Sequence, residues 1–161
     1  MIRKFIILII PFLIFLIAAC HDNNQDQSEI KASADNVFAA IDYDKVIAYS
    51  YNGEGGNEII NSNGKLADRI KKQTQLDRSQ IIRLTNFLCD RSTYGGETAA
   101  CFDPHFGIVF YRANEPKAYV SICLDCNYLV SSIKIPNSKG GFSDEGIKEM
   151  ESLEIEFNSK N

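Results

Sequence analysis

Tryptophan is absent from the 161 residues, and histidine occurs only at His21 and His105. With two histidines, one of them in a polar N-terminal stretch, no Ser/His/Asp constellation is found. Without tryptophan, the aromatic mass of any core falls to 10 Phe and 7 Tyr. An excess of positive charge is also missing. The chain carries 17 basic and 21 acidic residues, for a net charge of −4. Removing residues 1–19 takes away Arg3 and Lys4 but no acid, leaving 15 against 21, or −6. Phosphate backbones are bound through basic patches, so this balance argues against nucleic acid as a partner. The charges are scattered in both signs and read as solubility. No phosphate loop is found either. Asn52-Gly53-Glu54-Gly55-Gly56 is glycine-rich, but Glu54 places negative charge in it and no helix start follows. The turn at Asn61, Asn63 and Gly64 has too few carboxylates for a calcium loop. Glu145 and Glu149 lie one turn apart and read as a solvated helix face. No catalytic residue is assigned, and the chain does not read as an enzyme.

Long apolar runs are scarce as well. The one present, Phe5 to Ala19, follows Arg3 and Lys4 and contains Pro11. It is shorter than the about 20 residues of a spanning helix. Charge, then apolar residues, then small ones is the order of a secretory signal. Its ending, Ile17-Ala18-Ala19-Cys20, resembles the lipobox of bacterial lipoproteins. That resemblance implies a signal peptide over 1–19, cut before Cys20, with the Cys20 thiol and new amine acylated. Each buried methylene contributes about 0.8 kcal/mol, so several chains would hold the protein to a membrane where one would not. In Gram-negative lipoproteins Asp after the cysteine favours inner-membrane retention. His21 stands there instead, so the resemblance implies the outer membrane, on either its periplasmic or its outer face. Residues 20–35 are polar, with too little apolar surface to offset ordering entropy, and read as a flexible tether.

Residues 36–161 read as a single domain. Val37, Phe38 and Ile41 suit a short opening helix, and Lys45 to Tyr51 a strand. Leu66 and Ile70 lie four apart on a basic stretch that reads as helical to about Thr74. Asp77 and Gln80 form a capping box for a helix ending near Cys89 or Asp90, with Ile81, Leu84 and Leu88 in one stripe. Ser92 to Ala99 and Asn137 to Gly141 are turn-like. Ser143 suits the N-cap of a last helix whose apolar stripe is Ile147, Met150, Leu153 and Phe157.

Between them lies the densest β pattern, with three of the five cysteines. Phe106 to Tyr111 and Lys117 to Leu124 read as a hairpin around Ala113-Asn114-Glu115-Pro116, and Asn127 to Ile133 as a further strand. A four-residue loop pairs Val109 with Val120 and Phe106 with Cys123. Extended, that register brings Cys101 beside Cys126 and His105 near Leu124. With Cys20 acylated, Cys89, Cys101, Cys123 and Cys126 remain in a compartment where disulfides persist. Cys101–Cys126 is the favoured bridge, leaving Cys89 with Cys123 or both free. It could stabilise the fold by roughly 3 kcal/mol in the chain-entropy model. Two other readings stand beside it. Cys101, His105, Cys123 and Cys126 have spacings compatible with tetrahedral zinc, the only cofactor the chain suggests. Cys123-Leu124-Asp125-Cys126 could exchange disulfides, although a strand precedes it and Asp125 sits within it. Asn127 in place of histidine excludes a c-type haem site.

The run Cys101-Phe102-Asp103-Pro104, Gly107 to Tyr111 and Ile122 to Asn127 is similar to a CFxP…GIVFY…ICxxCN pattern in small bacterial envelope proteins. The resemblance implies a shared fold and no particular chemistry. The expected fold is α+β: an antiparallel sheet of about four strands with helices 77–89 and 143–157 packed on one face. The expected function is a lipid-anchored cell-envelope module, structural or binding an envelope protein. The alternative is a zinc-binding or thiol-exchange activity of the cysteines.

Overall fold

A computed structural model describes residues 35–159. The expected signal peptide, Cys20 and nearly all of the tether lie outside the described residues.

The fold is α+β. Strands β1 (Lys45–Tyr51), β2 (Ile70–Gln75), β3 (Tyr94–Gly96), β4 (Phe106–Arg112), β5 (Glu115–Cys123), β6 (Tyr128–Ser131) and β7 (Gly141–Phe142) accompany helices α1 (Arg78–Cys89) and α2 (Asp144–Ser159). Five strands make one antiparallel sheet in the order β2-β1-β4-β5-β6, and β3 pairs with β7 in a small second sheet. The sheet is thus one strand wider than expected. The difference lies at residues 66–74, where a helix was expected. Ile70, Lys72 and Thr74 alternate with the exposed Lys71, Gln73 and Gln75, which is the period of a strand. Lysines on an outer strand also discourage pairing with another chain. Burial against β1 overrides the weak helical spacing of Leu66 and Ile70.

Helix α1 begins as its sequence signals. Asp77 Oδ1 accepts the Gln80 N–H at 2.9 Å, and Gln80 Oε1 accepts the Asp77 N–H at 3.1 Å. Ser143 Oγ accepts the Gly146 N–H at 3.1 Å and starts α2. Both helices lie on one face of the sheet. Leu84, Leu88, Met150, Leu153 and Phe157 meet Val46, Ala48, Phe106, Ile108, Phe110, Val120 and Ile122 in one buried cluster. Arg83 joins the helices, reaching Glu149 and Glu156 at 2.7 Å each. Among the described residues the first buried one is Asn36, whose amide donates to Thr85 Oγ1 at 2.8 Å and Asn86 Oδ1 at 2.9 Å.

The opposite face is covered by loop 52–69, which contains no strand of the main sheet. Ile59 and Ile60 pack on Tyr49, Tyr51, Val109 and Tyr111. Gly107 permits the approach, because a Cβ there would stand 2.7 Å from Ile59 Cβ. The buried hydroxyl of Ser121 accepts the Ile59 N–H at 2.9 Å.

The hairpin turn is tighter than expected. Ala113 and Asn114 alone form it, both with positive φ (52° and 67°), as two-residue turns between twisted strands require. Asp44 Oδ2 accepts the Ala113 N–H, and Asn114 Oδ1 accepts from Lys45 Nζ, so β1 helps to hold the turn. An irregularity beside Phe110 then shifts the pairing. Val109 lies opposite Tyr119, not Val120, and Phe106 opposite Ile122, not Cys123.

Candidate functional site

The site is built where β5 ends and turns into β6. Strand β5 finishes at Cys123, residues 124–127 turn the chain, and Tyr128 opens β6 opposite Cys123. Asn127 takes a positive φ of 50°, and its N–H donates to the Leu124 carbonyl at 2.9 Å. Its side chain then ties three segments together. Nδ2 donates to the carbonyls of Glu97 and Phe142 at 2.9 Å each, and Oδ1 accepts the Phe142 N–H at 2.8 Å. A Cβ on Gly141 would run into the Asn127 amide, and one on Gly96 would meet first the Phe142 carbonyl and then the Asn127 amide at 2.8 Å. The asparagine of the ICxxCN pattern therefore docks the small β3–β7 sheet on the cysteine turn. The sequence pattern places Asn127 at the start of a strand; an asparagine closing a CxxC turn, with glycine pairs at 95–96 and 140–141, was the available signal.

Segment 97–105 runs along this turn. The Ala99 N–H donates to the Cys126 carbonyl at 2.9 Å, and the His105 N–H to the Ile122 carbonyl at 3.2 Å. From the other side, the Gly53 N–H donates to the Pro104 carbonyl and the Gly55 N–H to Asp103 Oδ1, each at 2.9 Å. Phe102 meets Tyr128 edge-on at 5.4 Å. These contacts hold Cys101 against the turn.

Three of the four sulfurs meet there. Cys123 and Cys126 are joined as a disulfide, and Cys101 Sγ lies 2.6 Å from Cys126 Sγ. The Cys126 N–H donates to Cys123 Sγ at 3.2 Å. Cys123 and Cys126 are 0% and 1% exposed, whereas Cys101 is open to solvent. Cys101 thus lies beside Cys126, where the extended hairpin places it, and the tight CxxC turn brings Cys123 to the same sulfur. Cys89 takes no part. It is a free thiol in the helix-face core at the end of α1, and burial pushes its pKa up despite the N–H groups of Val37 and Phe38.

His105 is exposed, with its field acting on Glu154 of α2. Glu154 has its pKa raised, first by burial; His105 opposes this, and Asp125 and Glu151 add to it. Among the described residues no group of three or more His, Cys, Asp or Glu is arranged to hold a metal ion. Of the set Cys101, His105, Cys123 and Cys126, the structure brings the three cysteines together and places His105, exposed, just ahead of β4. Two further cavities, of about 280 and 480 Å³, contain neither cysteine nor histidine; the first is lined by Asp90, Ser92, Glu145 and Glu149, the second by Tyr43, Lys45, Leu76 and Arg78. In the first, Asp90 Oδ1 accepts from the Ser92 N–H and hydroxyl at 2.7 Å, which caps the short turn at Arg91–Thr93 and holds the Asp90 carboxyl below the usual range.

No family model, curated protein or solved structure matches the chain.

Proposed function

We propose that this protein is a lipid-anchored module of the bacterial cell envelope, attached through Cys20 and held by the outer membrane, whose folded domain engages an envelope partner without performing catalysis. The observation that carries the reading is the ending Ile17-Ala18-Ala19-Cys20 at the foot of a charged-then-apolar leader. The domain suits such an attachment. Asn36, buried near the start of the described residues, is clamped to Thr85 and Asn86 of α1, so tension along the polar sequence before it would fall on a helix. A 15-residue polar segment from His21 to Asp35 gives reach from the bilayer.

Replacing the anchor residue tests this. With Cys20→Ser, the protein should lose lipid labelling and either leave the membrane fraction or accumulate as an unprocessed precursor. Unchanged lipid incorporation together with unchanged membrane retention would refute the proposal.

A further inference from the structure

The cysteine end places a free thiol against a disulfide. Cys101 Sγ is 2.6 Å from Cys126 Sγ, and Cys126 is at the same time bridged to Cys123. Thiol–disulfide exchange begins from this juxtaposition, since a thiolate attacks one sulfur of a bridge and displaces the other. We infer that Cys126 is shared between two alternative bridges, Cys123–Cys126 and Cys101–Cys126, which the folded chain interconverts by intramolecular exchange. This goes beyond the anchoring reading and does not depend on it.

The step balances without any outside oxidant or reductant. The Cys101 thiol releases its proton to solvent, and its sulfur bonds to Cys126 Sγ. The Cys126–Cys123 bond breaks, the electron pair leaves on Cys123 Sγ, and that sulfur takes up a proton. One disulfide and one thiol stand on each side.

Three features of the site favour this. The nucleophile is held in place, because segment 97–105 is hydrogen-bonded to Cys126 and Ile122 on one side and to Gly53 and Gly55 on the other. The leaving sulfur is met by a donor, the Cys126 N–H at 3.2 Å, and such a bond strengthens when its acceptor becomes an anion. Exposure divides the roles. Cys123 and Cys126 are closed to solvent and Cys101 is open, so an external thiol or disulfide can reach the buried pair only through Cys101. Exchange therefore decides whether the site presents a thiol to solvent. With Cys123–Cys126 bridged, Cys101 is presented; with Cys101–Cys126 bridged, the spare thiol is the buried Cys123.

The test uses the full chain as isolated in detergent, whether or not Cys20 carries lipid. It is pulsed briefly with N-ethylmaleimide while folded, quenched in acid before exchange can refill the labelled form, then unfolded, treated with iodoacetamide and mapped by non-reducing digestion and mass spectrometry. Two populations are expected. One carries maleimide on Cys101 and the Cys123–Cys126 bridge; the other carries the Cys101–Cys126 bridge and iodoacetamide on Cys123. Cys101→Ser should abolish the second population and all maleimide labelling of the folded domain. Cys123→Ser, kept in oxidised and reduced glutathione, should form the Cys101–Cys126 bridge. A single kind of bridge in the wild-type chain, unchanged over days of incubation, would overturn the inference. So would free Cys101 and Cys126 thiols in a folded Cys123→Ser protein. If Cys123→Ser does not fold, the wild-type map alone decides.

Discussion

The two faces of the main sheet are buried by different means. On one, α1 and α2 lay regular apolar stripes over Val46, Ile108, Phe110, Val120 and Ile122. On the other, an irregular loop brings Ile59 and Ile60 down on Tyr49, Tyr51, Val109 and Tyr111. The helix face has aliphatic and phenyl groups at its centre, while the loop face keeps polar tips inside. Tyr49 and Tyr111 share a hydrogen bond of 2.8 Å between their hydroxyls, and burial raises the pKa of both. The Tyr51 phenol is pushed up to about 12, chiefly by burial. A face built from periodic elements stakes its stability on large side chains buried in register, each costly to truncate. A face closed by one loop depends on the few residues that let the loop come close.

The comparison can be broken most severely on the helix face. Phe110 is fully buried, stacked on Phe38 at 5.1 Å and met edge-on by Tyr43 at 5.3 Å. Phe110→Ala should cost about 3–5 kcal/mol, read as a lowered urea midpoint with an unchanged slope. Gly107→Ala tests the loop face. Its new methyl would press on Ile59, and overpacking of this kind costs about 1–3 kcal/mol. Hydrogen exchange should quicken in residues 53–69 and stay as it was in α1 and α2; uniform acceleration would refute the independence of the two faces. Asn127→Ala removes three hydrogen bonds that join the small sheet to the cysteine turn. A cost of about 1–3 kcal/mol is expected, with faster exchange at Gly96 and Phe142.

The smallest effect should be electrostatic. Glu154 has a raised pKa in the folded state, so folding favours its protonated form. Between the ordinary carboxylate pKa and the raised one, the folded chain binds more proton than the unfolded chain, and stability falls as pH rises through that window. Glu154→Gln should flatten this decline and make the protein slightly more stable at neutral pH. An unchanged pH profile in equilibrium unfolding would contradict the assignment.

The helix face was legible because its signals are local. The capping box at Asp77 and Gln80, the stripe from Met150 to Phe157 and the strand Lys45–Tyr51 are each contained within a few residues. The loop face was not, since nothing in Asn57 to Leu66 states that Ile59 will rest on Gly107, nearly fifty residues away. The strand Ile70–Gln75 was missed for a related reason: its alternation is carried by lysines and glutamines, which look helical until a neighbouring strand is present. The cysteine end fell between these cases. Spacing brought Cys101, Cys123 and Cys126 to one place, where the structure has them, although the hairpin register differs by one residue from the expected one.

The intact mass of the full chain, purified from membranes without reductant, tests the account most directly. The expected mass begins at Cys20, carries added acyl chains, and is two hydrogens lighter than the all-thiol form, for one disulfide with two thiols remaining. A chain that still begins at Met1 without lipid would contradict the anchor, and a mass for four free thiols would contradict the bridged cysteine end.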